Sequence, residues 1–176
     1  MWLRINLLIK RLFDIVSSFC TIIVLTPLWI VVGIWIKLDS EGPILFKQGR
    51  RTKNGRIFKM WKYRSMVVNA ENMGAGLFCY DNDPRITKSG TILRKMSIDE
   101  LPQLFNVLMG DISVVGPRPC VTYELGDFET LNMKYKKRFQ MKGGITGLAQ
   151  CKGRNENSWD EKVMLDNEYI LSLIHI

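Results

Sequence analysis

The chain has 176 residues, 47% of them hydrophobic, which is enough for one domain with a real core and too apolar for a disordered protein. Lys and Arg number 25 against 17 Asp and Glu, a net charge of +8 that favours an anionic partner such as nucleic acid, a phosphorylated metabolite or an anionic membrane. Cys20, Cys79, Cys120 and Cys151 form no C-x-x-C pair and the single histidine, His175, is next to last, which sets aside zinc, thioredoxin-like, Ser-His-Asp and Cys-His chemistry. Carboxylates, lysines, tyrosines and thiols remain, in a reduced, cytosol-facing setting.

From Leu12 to Ile36 the sequence LFDIVSSFCTIIVLTPLWIVVGIWI carries one charge, Asp14, between the flanking bases Lys10, Arg11 and Lys37. Its length reaches the roughly 20 apolar residues that cross a bilayer. It is longer than a signal-peptide core, and no A-x-A-like site follows. Thr26-Pro27 falls near the middle, where proline removes a donor and breaks the helix. Each half, about a dozen residues or about 20 Å, is shorter than the roughly 30 Å hydrocarbon core. Basic residues at both ends fit two cytoplasmic ends, so residues 1–37 read as a membrane-embedded re-entrant helix hairpin rather than a crossing or a buried soluble helix. Thr26 is placed to return a hydrogen bond to a carbonyl freed at the break.

Residues 38–170 are polar and basic and read as one cytosolic domain. Ile44 to Gln48 and Arg56 to Arg64 predict a hairpin around the turn Lys53-Asn54-Gly55. Phe58, Met60, Lys62 and Arg64 fall on one face of its second strand, so Lys62 and Arg64 are candidate anion contacts pointing the same way. A short helix and loop are expected over 65–78. Asp81 and Asp83 resemble the start of a calcium loop but lack its glycine and terminal glutamate, which favours turn chemistry. Thr91 to Met96 predict a helical turn. In KMSIDELPQL, the spacing of Leu101, Leu104, Phe105 and Leu108 predicts a short helix ending near Gly110. Asp99 as its N-cap would place Pro102 harmlessly in the first turn. Asp99 and Glu100 then have two readings, the ordinary acidic opening of a helix or a catalytic pair. Ile112 to Val115 predict a buried strand, GPRP stiffens the chain around Arg118, and Tyr123 to Arg138 predict an amphipathic helix on the core or a membrane surface. KGGITGLAQCKGR sets four glycines among Lys142, Lys152 and Arg154, a loop able to present backbone N–H groups to phosphate.

Together RLFDIVSS, the TP break, GPILFKQGR, FKMWKYRSM, DPRITKSGTILRKMSIDELPQLFNVLMGDISVVGPRP, GGITGLAQ and GRN resemble the bacterial sugar transferase family, whose small members are monotopic phosphoglycosyl transferases. The resemblance implies a small α/β (α+β) catalytic domain with the re-entrant hairpin and interfacial amphipathic helices, on the cytoplasmic face of the bacterial inner membrane. It implies transfer of a phosphosugar from a UDP-sugar to undecaprenyl phosphate with release of UMP, an EC 2.7.8 type reaction that begins glycan assembly. By motif, Asp99 would be the nucleophile, forming a phosphosugar-aspartyl intermediate. Glu100 would assist, and the pair would bind Mg2+, the implied cofactor. Lys62, Arg94 and Arg118 match positions that hold the diphosphate, and Asp166 matches a later acidic position near the site. Such chemistry needs charge neutralisation and positioning more than histidine. A carboxylate at a helix N-terminus is expected to stay ionised.

Two departures stand out. Gly143 replaces the family's usual proline, which is expected to loosen that loop. After DNEYI the sequence reads LSLIHI, the peptide that a transposon end encodes in one frame, so residues 171–176 read as a non-native tail of a truncated chain. The implied partners are a UDP-sugar, undecaprenyl phosphate and the membrane, with no nucleic acid; a homodimer or other glycan-assembly enzymes are further candidates. The competing readings are a membrane-tethered basic module for nucleic acid or anionic lipid, and an inactive scaffold of the same family. Neither the sugar nor the glycan pathway is encoded in these motifs.

Overall fold

The structure is a computed structural model that describes residues 2–74, 76, 80, 82–153 and 157–175. Asp81, Cys79 and Arg154, with the GRN match, lie outside the described residues. The elements in chain order are α1 (Trp2–Val24), α2 (Thr26–Asp39), β1 (Leu45–Arg51), β2 (Ile57–Tyr63), α3 (Lys88–Lys95), α4 (Gln103–Met109), β3 (Ser113–Val115), β4 (Cys120–Val121), α5 (Met133–Lys136), β5 (Gly144–Thr146), α6 (Leu148–Cys151) and α7 (Trp159–His175). Helices joined to small sheets agree with the α/β expectation. β1 lies between β2 and β4, and β3 pairs in parallel with β5.

The helix break falls at Leu25, with Pro27 in the first turn of α2, where its missing N–H loses no bond. Thr26 Oγ1 donates to the Ile22 carbonyl at 2.9 Å. No single described helix is long and apolar enough to cross a membrane; α1 and α2 together are, and they are bent by 64° at the break. The first half is longer than the dozen residues expected, because Trp2 to Arg11 continue the same helix.

Two compact units divide the chain. Met1–Thr21, Gln48–Met60 and Leu104–Ile176 form the first, and Ile22–Lys47 with Trp61–Gln103 form the second. The core of the first is Phe58, Met60, Val107 and Ile112, with Val114 and Ile145 packed against it. Its polar counterpart is Asp14, only 3% exposed, which accepts from Ser113 Oγ at 2.8 Å and from Val114 N at 2.9 Å. The core of the second is Val32, Ile36, Tyr63 and Leu93, covered by Leu28, Trp29, Leu45, Ile98 and Leu101.

The hairpin forms as its alternation predicts, with Asn54 in the left-handed region at φ 56° between the strands. Three expectations are corrected. The chain over 123–138 is not one amphipathic helix: Gly126 takes φ +73°, and helix begins only at Met133, where the Asn132 side chain accepts from Lys134 N. Helical structure at 91–96 starts earlier, at Lys88, because Thr87 caps it by accepting from Gly90 N at 3.0 Å. Over 65–78 the described residues contain one 3-10 turn, Ala70–Asn72, rather than an α-helix.

Candidate active site

In the second unit Ile98 and Leu101 pack on the Val32, Ile36, Tyr63 and Leu93 core, and this apolar pair anchors the turn that carries Asp99 and Glu100 between them. The turn is a 3-10 segment, Ile98–Glu100, entered through Ser97 at φ 57°, ψ 20°. A serine in the left-handed region is uncommon, and such strain persists where surrounding packing over-determines it. The expected N-cap is therefore corrected: α4 begins at Gln103, four residues beyond Asp99, and Pro102 precedes the helix instead of lying within its first turn. Asp99 owes its environment to burial rather than to a helix mouth.

That environment is defined by charge. Lys62 Nζ lies 3.0 Å from Glu100 Oε1 in a largely buried ion pair, which fixes the Glu100 carboxylate. Asp99 is 9% exposed, and burial raises its pKa above the usual carboxylate value; Glu100 pushes the same way, while Lys62 and Arg94 act against both. Desolvation thus outweighs the neighbouring cations in setting the direction of that shift. Among the described residues no other side chain donates a hydrogen bond to Asp99; its own backbone N–H does, and favours the ionised form. Arg94 comes from the last turn of α3, whose first turn is tied to the end of α2 by Asp39 Oδ2, accepting from Ser89 N at 2.9 Å and Ser89 Oγ at 2.8 Å.

Arg64 shares the Lys62 face of β2 but is spent differently. It is 5% exposed and donates to the carbonyls of Ile36, Ser40 and Glu41, closing the end of α2. Asp83 likewise takes no metal-like setting: it is buried and accepts from the Arg85 guanidinium at 2.7 Å, as the turn reading expects.

The remaining candidates belong to the first unit. Arg118, half-buried in the Pro117–Pro119 turn, lines a small cleft with Arg51 and Arg138. Its carbonyl accepts from Arg138 Nη2 at 2.8 Å, and the same nitrogen lies 2.9 Å from Asp166 Oδ2. Both ions of this pair are buried, and burial raises the Asp166 pKa while Arg138 lowers it. The glycine-rich loop is tighter than predicted. Gly143 N donates to Thr52 Oγ1 at 3.2 Å, a bond proline has no hydrogen to make, and Gly144 N donates to the Pro117 carbonyl at 2.9 Å. These two N–H groups are internally satisfied, which corrects the loosening expected of Gly143 and takes Gly143 and Gly144 out of any phosphate cradle; Lys142 lies beside them as a cation.

Sequence reasoning assigned no role to Asp14, Asp39 or Arg138. Asp14 had a signal, as the sole charge in an apolar run; Arg138 and Asp39 had none, because their partners are distant in sequence. Among the described residues no three His, Cys, Asp or Glu side chains assemble a metal cage. Two adjacent carboxylates, Asp99 and Glu100, have the oxygen-donor chemistry that suits Mg2+, which takes few protein ligands and fills its shell with water and phosphate.

Residues 5–174 match the sequence profile of a family described as bacterial sugar transferase. An exopolysaccharide production protein of Rhizobium leguminosarum is 46% identical over 151 residues, covering 84% of this chain and 76% of that protein. The UDP-glucose:undecaprenyl-phosphate glucose-1-phosphate transferase of Klebsiella pneumoniae is 43% identical over 171 residues, covering 97% of this chain and 37% of that protein. The undecaprenyl-phosphate galactose phosphotransferase of Salmonella typhimurium is 40% identical over 182 residues, covering 95% and 37% respectively. The chain thus spans most of the first relative and little more than a third of the other two.

Proposed function

The chain belongs to the bacterial sugar transferase family, and from that membership we propose that it transfers a phosphosugar from a UDP-sugar to undecaprenyl phosphate. The observation that carries this reading is the buried Asp99 carboxylate, held beside the Lys62–Glu100 ion pair and within the field of Arg94. Two relatives named as undecaprenyl-phosphate sugar transferases support the acceptor and the class of donor.

In the proposed reaction an Asp99 oxygen attacks the β-phosphorus of the UDP-sugar. A P–O bond to the aspartate forms, the P–O bond to UMP breaks, and UMP leaves with the electron pair. An oxygen of undecaprenyl phosphate then attacks the same phosphorus, and Asp99 departs as carboxylate. A buried carboxylate is poorly solvated and so more reactive as a nucleophile, provided that it is ionised. Lys62 and Arg94 favour that ionised form and neutralise incoming phosphate charge. Glu100, held by Lys62, would take Mg2+ together with Asp99; when bound, the ion neutralises diphosphate charge. By motif alone Arg118 is carried over as a phosphate contact; within the first unit Asp166 would support it through Arg138, which bonds the Arg118 carbonyl. Arg64, Thr26 and Pro27 are assigned to shaping the α2 region. The bent, apolar α1–α2 pair enters the cytoplasmic leaflet as a re-entrant hairpin and brings the acceptor lipid within reach.

The test is UMP release by the chain in detergent or nanodiscs with a panel of UDP-sugars, Mg2+ and undecaprenyl phosphate, with intact-mass detection of a phosphosugar adduct when the acceptor is omitted. Asp99→Asn should abolish both signals. Full turnover by Asp99→Asn would refute the covalent route, and no UMP release with any common UDP-sugar would refute the activity.

A further inference from the structure

Lys142 stands in the first unit among other cations and, among the described residues, forms no ion pair. A Cβ placed on Gly110 would lie 3.3 Å from Arg11 Nη2 and 3.4 Å from Lys142 Nζ, so both cationic tips converge over one backbone position. Gly110 itself takes φ +85° just after α4, where a side chain would be strained. Arg11 is oriented from below, donating to the carbonyls of Val107 at 2.6 Å and Leu108 at 2.9 Å at the end of α4. Arg56, exposed, extends to Asp111 Oδ1 at 2.9 Å next to Gly110. Burial lowers the Lys142 pKa, with Arg11, Arg56 and Lys53 adding to the effect and only Asp14 opposing it. Among the described residues the amine has no hydrogen-bonded acceptor, and Asp14 is already occupied by Ser113 and Val114. Four cations thus gather with two carboxylates: Asp14 is taken up by Ser113 and Val114, and Asp111 by Arg56 and Asn106, so neither bonds Lys142.

The same side of α1 that carries Arg11 exposes Leu8 at 70% and Ile15 at 39%, one turn before and one turn after it. A cationic cluster continuous with an exposed apolar helix stripe has the polarity of an amphiphile with an anionic head and hydrocarbon tails. We propose that Arg11, Lys53, Arg56 and Lys142 form a headgroup site for one anionic phospholipid of the bilayer, whose acyl chains lie along the Leu8–Ile15 face of α1. The bound phosphodiester supplies the acceptor that Lys142 lacks and screens the four cations from each other. This site is independent of the Asp99 chemistry and docks the first unit at the membrane surface.

The test is native mass spectrometry of the full chain in neutral detergent, titrated with dioctanoyl phosphatidylglycerol, dioctanoyl phosphatidylcholine or inorganic phosphate, with thermal midpoints read in parallel. Phosphatidylglycerol should bind one to one and raise the midpoint. Lys142→Gln should weaken it about fivefold at low salt, Lys53→Gln with Arg56→Gln should weaken it further, and Lys142→Arg should retain it. Without lipid, Lys142→Gln should melt no lower than the parent chain, because it removes a half-buried charge that its neighbours repel. Equal retention of phosphatidylcholine, unchanged phosphatidylglycerol affinity in Lys142→Gln, or inorganic phosphate binding as tightly as the lipid would each overturn the proposal. The last outcome would assign the cluster to a free phosphate.

Discussion

Replacing Arg138 with methionine should be far more damaging than removing the ion pair whole. Arg138 Nη2 and Asp166 Oδ2 are 2.9 Å apart, with side chains 4% and 2% exposed. Two unit charges at that separation attract by about 6 kcal/mol at an effective dielectric of about 20. Desolvating each ion costs several kcal/mol, so the pair is nearly balanced. Arg138→Met leaves Asp166 buried and unpaired, with an expected loss of about 3–5 kcal/mol. Some apolar contact with Trp159, whose ring centre lies 5.1 Å from the guanidinium, survives in the methionine. Arg138→Met with Asp166→Leu should cost under about 2 kcal/mol, because no charge is stranded. The pH dependence has a definite sign. Burial raises the Asp166 pKa, and loss of Arg138 raises it further, so the variant retains most stability below the ordinary carboxylate pKa and loses it as pH rises through the folded value. Urea unfolding of the full chain in detergent, followed by tryptophan fluorescence at pH 5 and pH 8, measures all of this. A loss below about 1 kcal/mol in Arg138→Met, a penalty independent of pH, or strict additivity in the double variant would refute the reasoning.

Three further outcomes are expected. Asp99→Asn should lose product formation while its thermal midpoint rises by a few degrees, because a raised pKa means that folding disfavours the ionised carboxylate at neutral pH; a lower midpoint would contradict the burial argument. In the parent chain the acid limb of the rate profile should accordingly lie above the ordinary aspartate range, and activity should rise with pH across it. Lys62→Met should reduce turnover at least tenfold and destabilise by about 1–2 kcal/mol by stranding Glu100, with partial rescue by Lys62→Arg. Gly143→Pro should lower stability by about 1 kcal/mol or more, since it removes the donor to Thr52 and its Cβ would stand 2.5 Å from Pro119 Cγ; calorimetry showing a more stable variant would count against the tight-loop description.

Legibility in the sequence followed the range of the interaction. The hairpin was readable because Lys53-Asn54-Gly55 encodes its turn locally and Phe58 and Met60 encode its buried face. Pro27 likewise marked the helix break through a missing donor. α7 was also locally signalled: Ser158 Oγ and Glu161 Oε2 form a capping box, with Ser158 N donating to the glutamate at 2.7 Å. That S-W-D-E pattern was passed over. The start of α4 misled because Asp99 has the right residue type for an N-cap, whereas Ser97 takes the left-handed turn and the helix waits for Gln103. The β3–β5 pair and the Arg138–Asp166 contact join residues about thirty apart and have no local signature. Chemistry at Asp99 was readable only as a word in a longer motif; burial, which sets its pKa, was not.

Three consecutive residues at the end of β2, Lys62, Tyr63 and Arg64, show how the second unit joins the apolar helix α2 to the Asp99 turn. Alternation sends Lys62 to Glu100, while Tyr63 turns the other way into the α2 core, its ring 5.8 Å from that of Trp29. Arg64 returns to the first face and closes the α2 carbonyls. At the same end of α2, Asp39 holds the start of α3, and the last turn of α3 carries Arg94. Lys62 and Arg94, the two cations that act on Asp99, are thus carried by elements that contact α2, Lys62 by the strand of Tyr63 and Arg94 by α3. A helix whose depth is set by lipid would fix, through these contacts, where Lys62 and Arg94 stand relative to the carboxylate. On the proposed reading, in which the acceptor is a membrane lipid, the position of the bilayer would then be part of the geometry of the site.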